Sequence, residues 1–99
     1  MCLTGEQIGA DEALAAGLVA SVHAPEALVD DALALAEKIA ALGKPSVMMC
    51  KEAVNAADEL NLAEGLRLER RLFLSTFATP DQKEGMAAFA EKRAANFEK

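Results

Sequence analysis

A chain of 99 residues, 53% hydrophobic and 26% charged, has the composition of one folded domain or a piece of one, not of a disordered segment. A net charge of −6, from 16 acids against 10 bases, argues against a general nucleic-acid binder, which needs a clustered positive face to release counterions. The apolar runs are a few residues long, against the roughly 20 that a membrane-spanning helix needs.

The opening "MCLTGEQIGA" has neither the basic n-region nor the apolar h-region of a secretory signal, which points to the cytoplasm or a mitochondrial (organelle) matrix. Cys2 and Cys50 do not read as a disulfide framework in that setting; they read as small hydrophobes on helix faces. The first element, "GADEALAAGLV", predicts a short helix opened near Gly9 and closed by Gly17 in the left-handed conformation, with Leu18 folding back on it. "LVASVHA" alternates like a strand but is short and has no partner strand, so it is expected to be a connector.

Pro25 is expected to start the strongest helix. Its stripe is Leu28, Ala32, Leu35, Ile39 and Leu42, with Glu26, Asp30 and Asp31 leading, Lys38 trailing and Gly43 stopping it. Pro45 opens a second helix, "PSVMMCKEAVNAAD", and Asn61 with Glu64 gives a cap-and-return pattern for a third, "NLAEGLRLERRLFLSTFA". Leu72, Phe73, Leu74 and Phe77 point several ways around that third helix, so it expects neighbours on most sides. Thr79 caps the fourth, Pro80 suits its first position, and Gln82 stands where a capping box wants it. Asp81 and Glu84 at its start and Lys92 and Arg93 at its end match the helix dipole. The fold expected is all-α: four main helices and a short leading one, in a single region covering residues 1–99.

No catalytic constellation emerges from the residues themselves. Neither G-x-G-x-x-G nor G-x-x-x-x-G-K-[ST] occurs, and the one histidine, His23, has no acids or cysteines at metal-ligand spacing, so no metal site is expected. A Ser-His-Asp set would have to use His23 with Ser21, Ser46 or Ser75, each of which reads as a turn or helix-surface residue. Asp30, Asp31, Glu52 and Glu59 read as solvated acids, with no dry pocket to raise a carboxylate pKa. Arg67, Arg70 and Arg71 form a basic stripe that reads as dipole compensation and surface ion pairs.

Three stretches, "LTGEQIGADEALAAGLVASV", "LALAEKIAALGKPSVMMCKEAVNAA" and "LFLSTFATPDQKEGMAAFAEKR", resemble the C-terminal part of an enoyl-CoA hydratase of the crotonase (enoyl-CoA hydratase/isomerase) superfamily. The resemblance runs from Leu3 to about Phe97; "FATPDQKEGMAAFAEKR" is its most specific part and leans toward the short-chain hydratases of fatty-acid β-oxidation. Gly9 departs from the Asp, Ser or Thr usual at that helix start. The resemblance implies that the upstream ββα spiral, with the two catalytic glutamates and the oxyanion N–H pair, is absent here, so no catalytic residue is assigned. It implies a C-terminal helical layer that joins subunits into trimers or their multiples and covers an acyl-CoA site; coenzyme A enters as thioester substrate, with no resident cofactor. Phe73, which by its own pattern reads equally as core, matches a phenylalanine that lines the acyl-CoA site from an adjoining subunit, and Lys92 matches a lysine near the coenzyme's adenosine and phosphate end. The implied function is the oligomerisation and coenzyme-covering part of a hydratase of 2-enoyl-CoA, inactive alone. The alternative is a non-catalytic helical self-association module. Neither nucleic acid nor membrane is expected as a partner.

Overall fold

The computed structural model describes residues 1–97, and among these the regular structure is helical, with no strand. The helices are α1 (Ala10–Ala15), α2 (Leu28–Ala40), α3 (Lys44–Ala56), α4 (Leu62–Thr76) and α5 (Pro80–Glu91). The chain divides within α2 into a first unit, Met1–Leu35, and a second that begins at Ala36.

In the first unit, α1 has no side-chain cap, as glycine at position 9 dictates. Its far end is closed by Gly17 at φ 74°, with Gly17 N–H donating to Leu14 O (3.0 Å) and Leu18 N–H to Ala13 O (2.9 Å). The backbone of Leu18 therefore folds back as expected, while its side chain stays exposed. Residues 21–24 are irregular, a connector and not a strand. The helix expected from Pro25 begins at Leu28 instead: residues 25–27 form a turn, in which Ala27 and Leu28 N–H both donate to Ala24 O at 3.0 Å. The same helix ends at Ala40, short of Gly43.

The second unit follows its local signals closely. Gly43 precedes α3 and Pro45 sits in its first turn, where a missing N–H costs nothing. Asn61 accepts from the Glu64 N–H (3.1 Å) to cap α4, and the Glu64 carboxylate turns to Arg67 (2.7 Å). Thr79 accepts from Gln82 N–H (3.3 Å) to cap α5. The main helix–helix packing is α3 on α4. Among the described residues the buried apolar side chains are Ala13 and Ala88 alone. Leu35, Ile39, Val54, Leu66, Phe77 and Met86 are all exposed, so the apolar stripes that shape the helices are left largely uncovered among the described residues.

Candidate functional site

The most organised polar cluster lies where α5 ends. Lys92 takes a left-handed conformation (φ 53°, ψ 40°), the only positive φ among the described non-glycine residues. Two bonds close the helix around it, Lys92 N–H to Phe89 O (3.3 Å) and Arg93 N–H to Ala88 O (3.0 Å). That is the closure glycine provides for α1, here made by a lysine. The chain then reverses beside its own helix. Arg93 donates through Nη1 and Nη2 to the two carboxylate oxygens of Glu84 (2.6 and 3.0 Å) and through Nε to Glu91 (2.6 Å). Asn96 N–H donates to the same Glu84 carboxylate (2.7 Å). The Arg93 hydrogen bond, then the Asn96 N–H, pull the Glu84 pKa from an ordinary 4.5 down to about 2, and the Arg93 pKa rises in return. With Glu84 and Glu91 both held by Arg93, the Lys92 ammonium makes no ion pair among the described residues.

Beside this turn, Ile39, Leu42, Val47, Val54, Met86 and Phe97 line much of an apolar cleft of about 830 Å³ in the second unit. Asp81, only 8% exposed, sits in its wall against Gly43. The sequence placed Asp81 at a helix start but gave no sign of this burial. Phe73 lies on α4, 60% exposed, its ring edge-on to Phe77 at 5.4 Å. No hydrogen bond, ion pair or ring contact among the described residues joins Phe73 to Lys92. Arg67, Arg70 and Arg71 line a shallow cleft of about 440 Å³ with Glu64 and Leu74; of the three, Arg67 has the Glu64 partner.

In the first unit the structure assembles what the sequence left apart. Ser21 Oγ is 2.6 Å from His23 Nε2, and His23 Nδ1 is 2.5 Å from Asp31 Oδ2. The connectivity is that of a serine–histidine–aspartate relay, and Asp31 is therefore not simply solvated. The contacts are local and exposed, and they tie the connector to the first turn of α2. The described residues hold no cluster of three or more histidine, cysteine, aspartate or glutamate side chains that would bind a metal, and no helix among them is long and apolar enough to cross a membrane. Cys2 and Cys50 are free and exposed; Cys2 lies in the opening turn, not on a helix.

The family model for enoyl-CoA hydratase/isomerase matches residues 1–99. The chain is 60% identical over 97 residues to a Rhizobium meliloti protein named "Probable enoyl-CoA hydratase", covering 98% of this chain and 38% of that one. It is 57% identical over 97 residues to the mitochondrial enoyl-CoA hydratase of Pongo abelii, covering 98% and 33%. Among solved structures, an enoyl-CoA hydratase subunit from Geobacillus kaustophilus superposes with a TM-score of 0.92 at 42% identity, over 96% of this chain and 37% of that one. The chain thus spans between a third and two-fifths of the length of these relatives.

Proposed function

The chain belongs to the enoyl-CoA hydratase/isomerase family, and on that premise we propose that it is the part of a 2-enoyl-CoA hydratase that joins subunits and covers the coenzyme, without catalysing hydration itself. The observation that carries this reading is the exposure of most of the large apolar side chains on α2 to α5, against a buried apolar set, among the described residues, of Ala13 and Ala88. Each large side chain left in water forgoes roughly 1.5–3 kcal/mol, so these faces belong against further protein. In this reading a trimer, or a multiple of one, supplies that protein. Phe73 lines an acyl-CoA site of an adjoining subunit, and Lys92 meets the phosphates of the coenzyme as a point charge.

Support for the Lys92 role comes from its place at the end of an organised turn, where its ammonium makes no ion pair among the described residues. Support for the Phe73 role comes from the exposure of an aromatic ring on a helix that packs chiefly against α3. Sedimentation of the purified chain over a range of concentrations tests the assembly: reversible association is expected, and a compact monomer with no concentration dependence would reject it.

A further inference from the structure

A lysine in the left-handed region is held there by its surroundings, because its own backbone preference lies elsewhere. Two sets of contacts hold Lys92 there. The two backbone bonds that close α5 set the turn, and Glu84 then binds the returning chain at two separate points, the Arg93 guanidinium and the Asn96 N–H. Phe97 completes the reversal, its ring lying over Gly85, one residue along the helix from Glu84.

We propose that Glu84 is a positioning residue for the coenzyme contact: through Arg93 and the Asn96 backbone it fixes the turn that presents the Lys92 ammonium to a phosphate-bearing ligand. The inference rests on the reading of Lys92 as a phosphate contact. Glu84 serves that contact twice. It anchors the residues that follow Lys92, so the lysine leaves the helix in one direction. It also shares the Arg93 guanidinium with Glu91, and neither acid makes an ion pair with Lys92 among the described residues. A carboxylate held well below its ordinary pKa stays ionised throughout the physiological range, so the clamp is permanent and not a switch.

The test is a double-mutant cycle on the 99-residue chain with coenzyme A and, as the phosphate-free control, pantetheine, followed by amide chemical shifts. Lys92→Ala and Glu84→Gln should each weaken coenzyme A binding, Glu84→Gln by about fivefold, the upper range for an exposed ion pair. Pantetheine binding should be unchanged in both, and Glu84→Gln should add nothing in the Lys92→Ala background. Arg93→Lys, which keeps the cation and loses the paired geometry, should fall between wild type and Glu84→Gln and guards against a Glu84 variant that folds poorly. Glu84→Gln binding coenzyme A as wild type does, while Lys92→Ala does not, overturns the positioning role and leaves the Lys92 reading standing. An effect of Glu84→Gln that persists undiminished without Lys92, or extends to pantetheine, shows a structural role only and also overturns it. Lys92→Ala binding like wild type removes the phosphate contact, and the positioning role falls with it.

Discussion

A methyl group at position 43 would stand 2.7 Å from Oδ2 and 3.1 Å from Cβ of Asp81, so Gly43 and Asp81 fit only because Gly43 has no side chain. The Gly43 φ is −60°, a value any residue adopts, so contact and not backbone conformation demands glycine there. Asp81, in turn, brings a carboxylate to the start of α3, where the helix dipole favours it. Gly43→Ala should therefore destabilise by about 1–3 kcal/mol, as overpacked sites do. In the Asp81→Ala background the same change should cost less, because the carboxylate at 2.7 Å is gone and only Cβ, at 3.1 Å, remains. Urea unfolding of wild type and the three variants reads the difference; equal costs in both backgrounds would show that the contact is not the cause.

In α5 the N-cap and a mid-helix glycine respond in opposite directions. Thr79→Ala removes the acceptor for Gln82 N–H and should cost about 0.5–2 kcal/mol. At Gly85 a methyl would meet the Phe97 ring at 3.7 and 3.8 Å, an ordinary contact. Gly85→Ala should accordingly stabilise this mid-helix position by up to about 1 kcal/mol. A loss of stability in thermal melts of Gly85→Ala would mean that something approaches the helix more closely than Phe97 does.

Features set by neighbouring residues were legible in the sequence, and features set by chain reversal were not. The caps at Asn61 and Thr79, Pro45 at the start of α3 and the left-handed Gly17 are local chemistry, and each stands where its residue type predicts. Pro25 misled by three residues because a turn and a first helical turn share the same proline signal. Arg93 read as a dipole partner of α5; it is instead past the helix end, on the returning chain, bound to Glu84. Nothing in the sequence marks a lysine for the left-handed region, so that reversal had no local signature. The burial of Asp81 depends on Gly43, distant along the chain, and the Asp31 contact on the path of the irregular connector that carries His23. The coenzyme roles of Phe73 and Lys92 came from family resemblance and not from pattern.

The Glu84 carboxylate gives the pH dependence. Its pKa falls from 4.5 to about 2 on folding, through the Arg93 hydrogen bond first and the Asn96 N–H second. A depressed carboxylate contributes stability that is fully present above the unfolded pKa and is lost as pH falls through the folded one. The contribution of this group should therefore be constant near neutral pH and fade between about pH 5 and pH 2. Because the group is partly exposed, the effect is partly screened and should shrink further in high salt. Melting temperatures of wild type and Glu84→Gln should converge across that window; a gap that stays constant would assign the stability to shape and not to charge.

Lys92 places stability and binding in opposition. Lys92→Gly relieves the left-handed conformation and should stabilise α5 by about 1 kcal/mol, the usual gain from glycine at such a helix end. The same change deletes the ammonium and should weaken coenzyme A binding. Lys92→Asn, which tolerates the conformation without the charge, should weaken binding by as much with a smaller gain in stability. A Lys92→Gly chain less stable than wild type would show that the lysine stem packs in a way that outweighs its backbone.

The last expectation concerns turnover. Hydration of an enoyl thioester needs a water held by carboxylates that exchange protons near neutral pH, and N–H donors aimed at the developing enolate oxygen. Of the acids in the second unit, Asp81 is buried against Gly43, and Glu84 is saturated by Arg93 and Asn96. With its pKa near 2, Glu84 holds no proton to give at neutral pH and is a poor base for taking one. In the first unit, Asp31 is bound to His23, and its neighbours are exposed at a helix start. Removing one oxyanion donor alone costs about a hundred- to a thousandfold in rate, and a chain without the whole arrangement should fall to the uncatalysed level. The purified 99-residue chain should thus leave crotonyl-CoA unhydrated across the pH range. Hydration above background, surviving a mass-verified preparation and lost in Glu84→Gln or Asp31→Asn, would place a working carboxylate at that position and overturn the expectation.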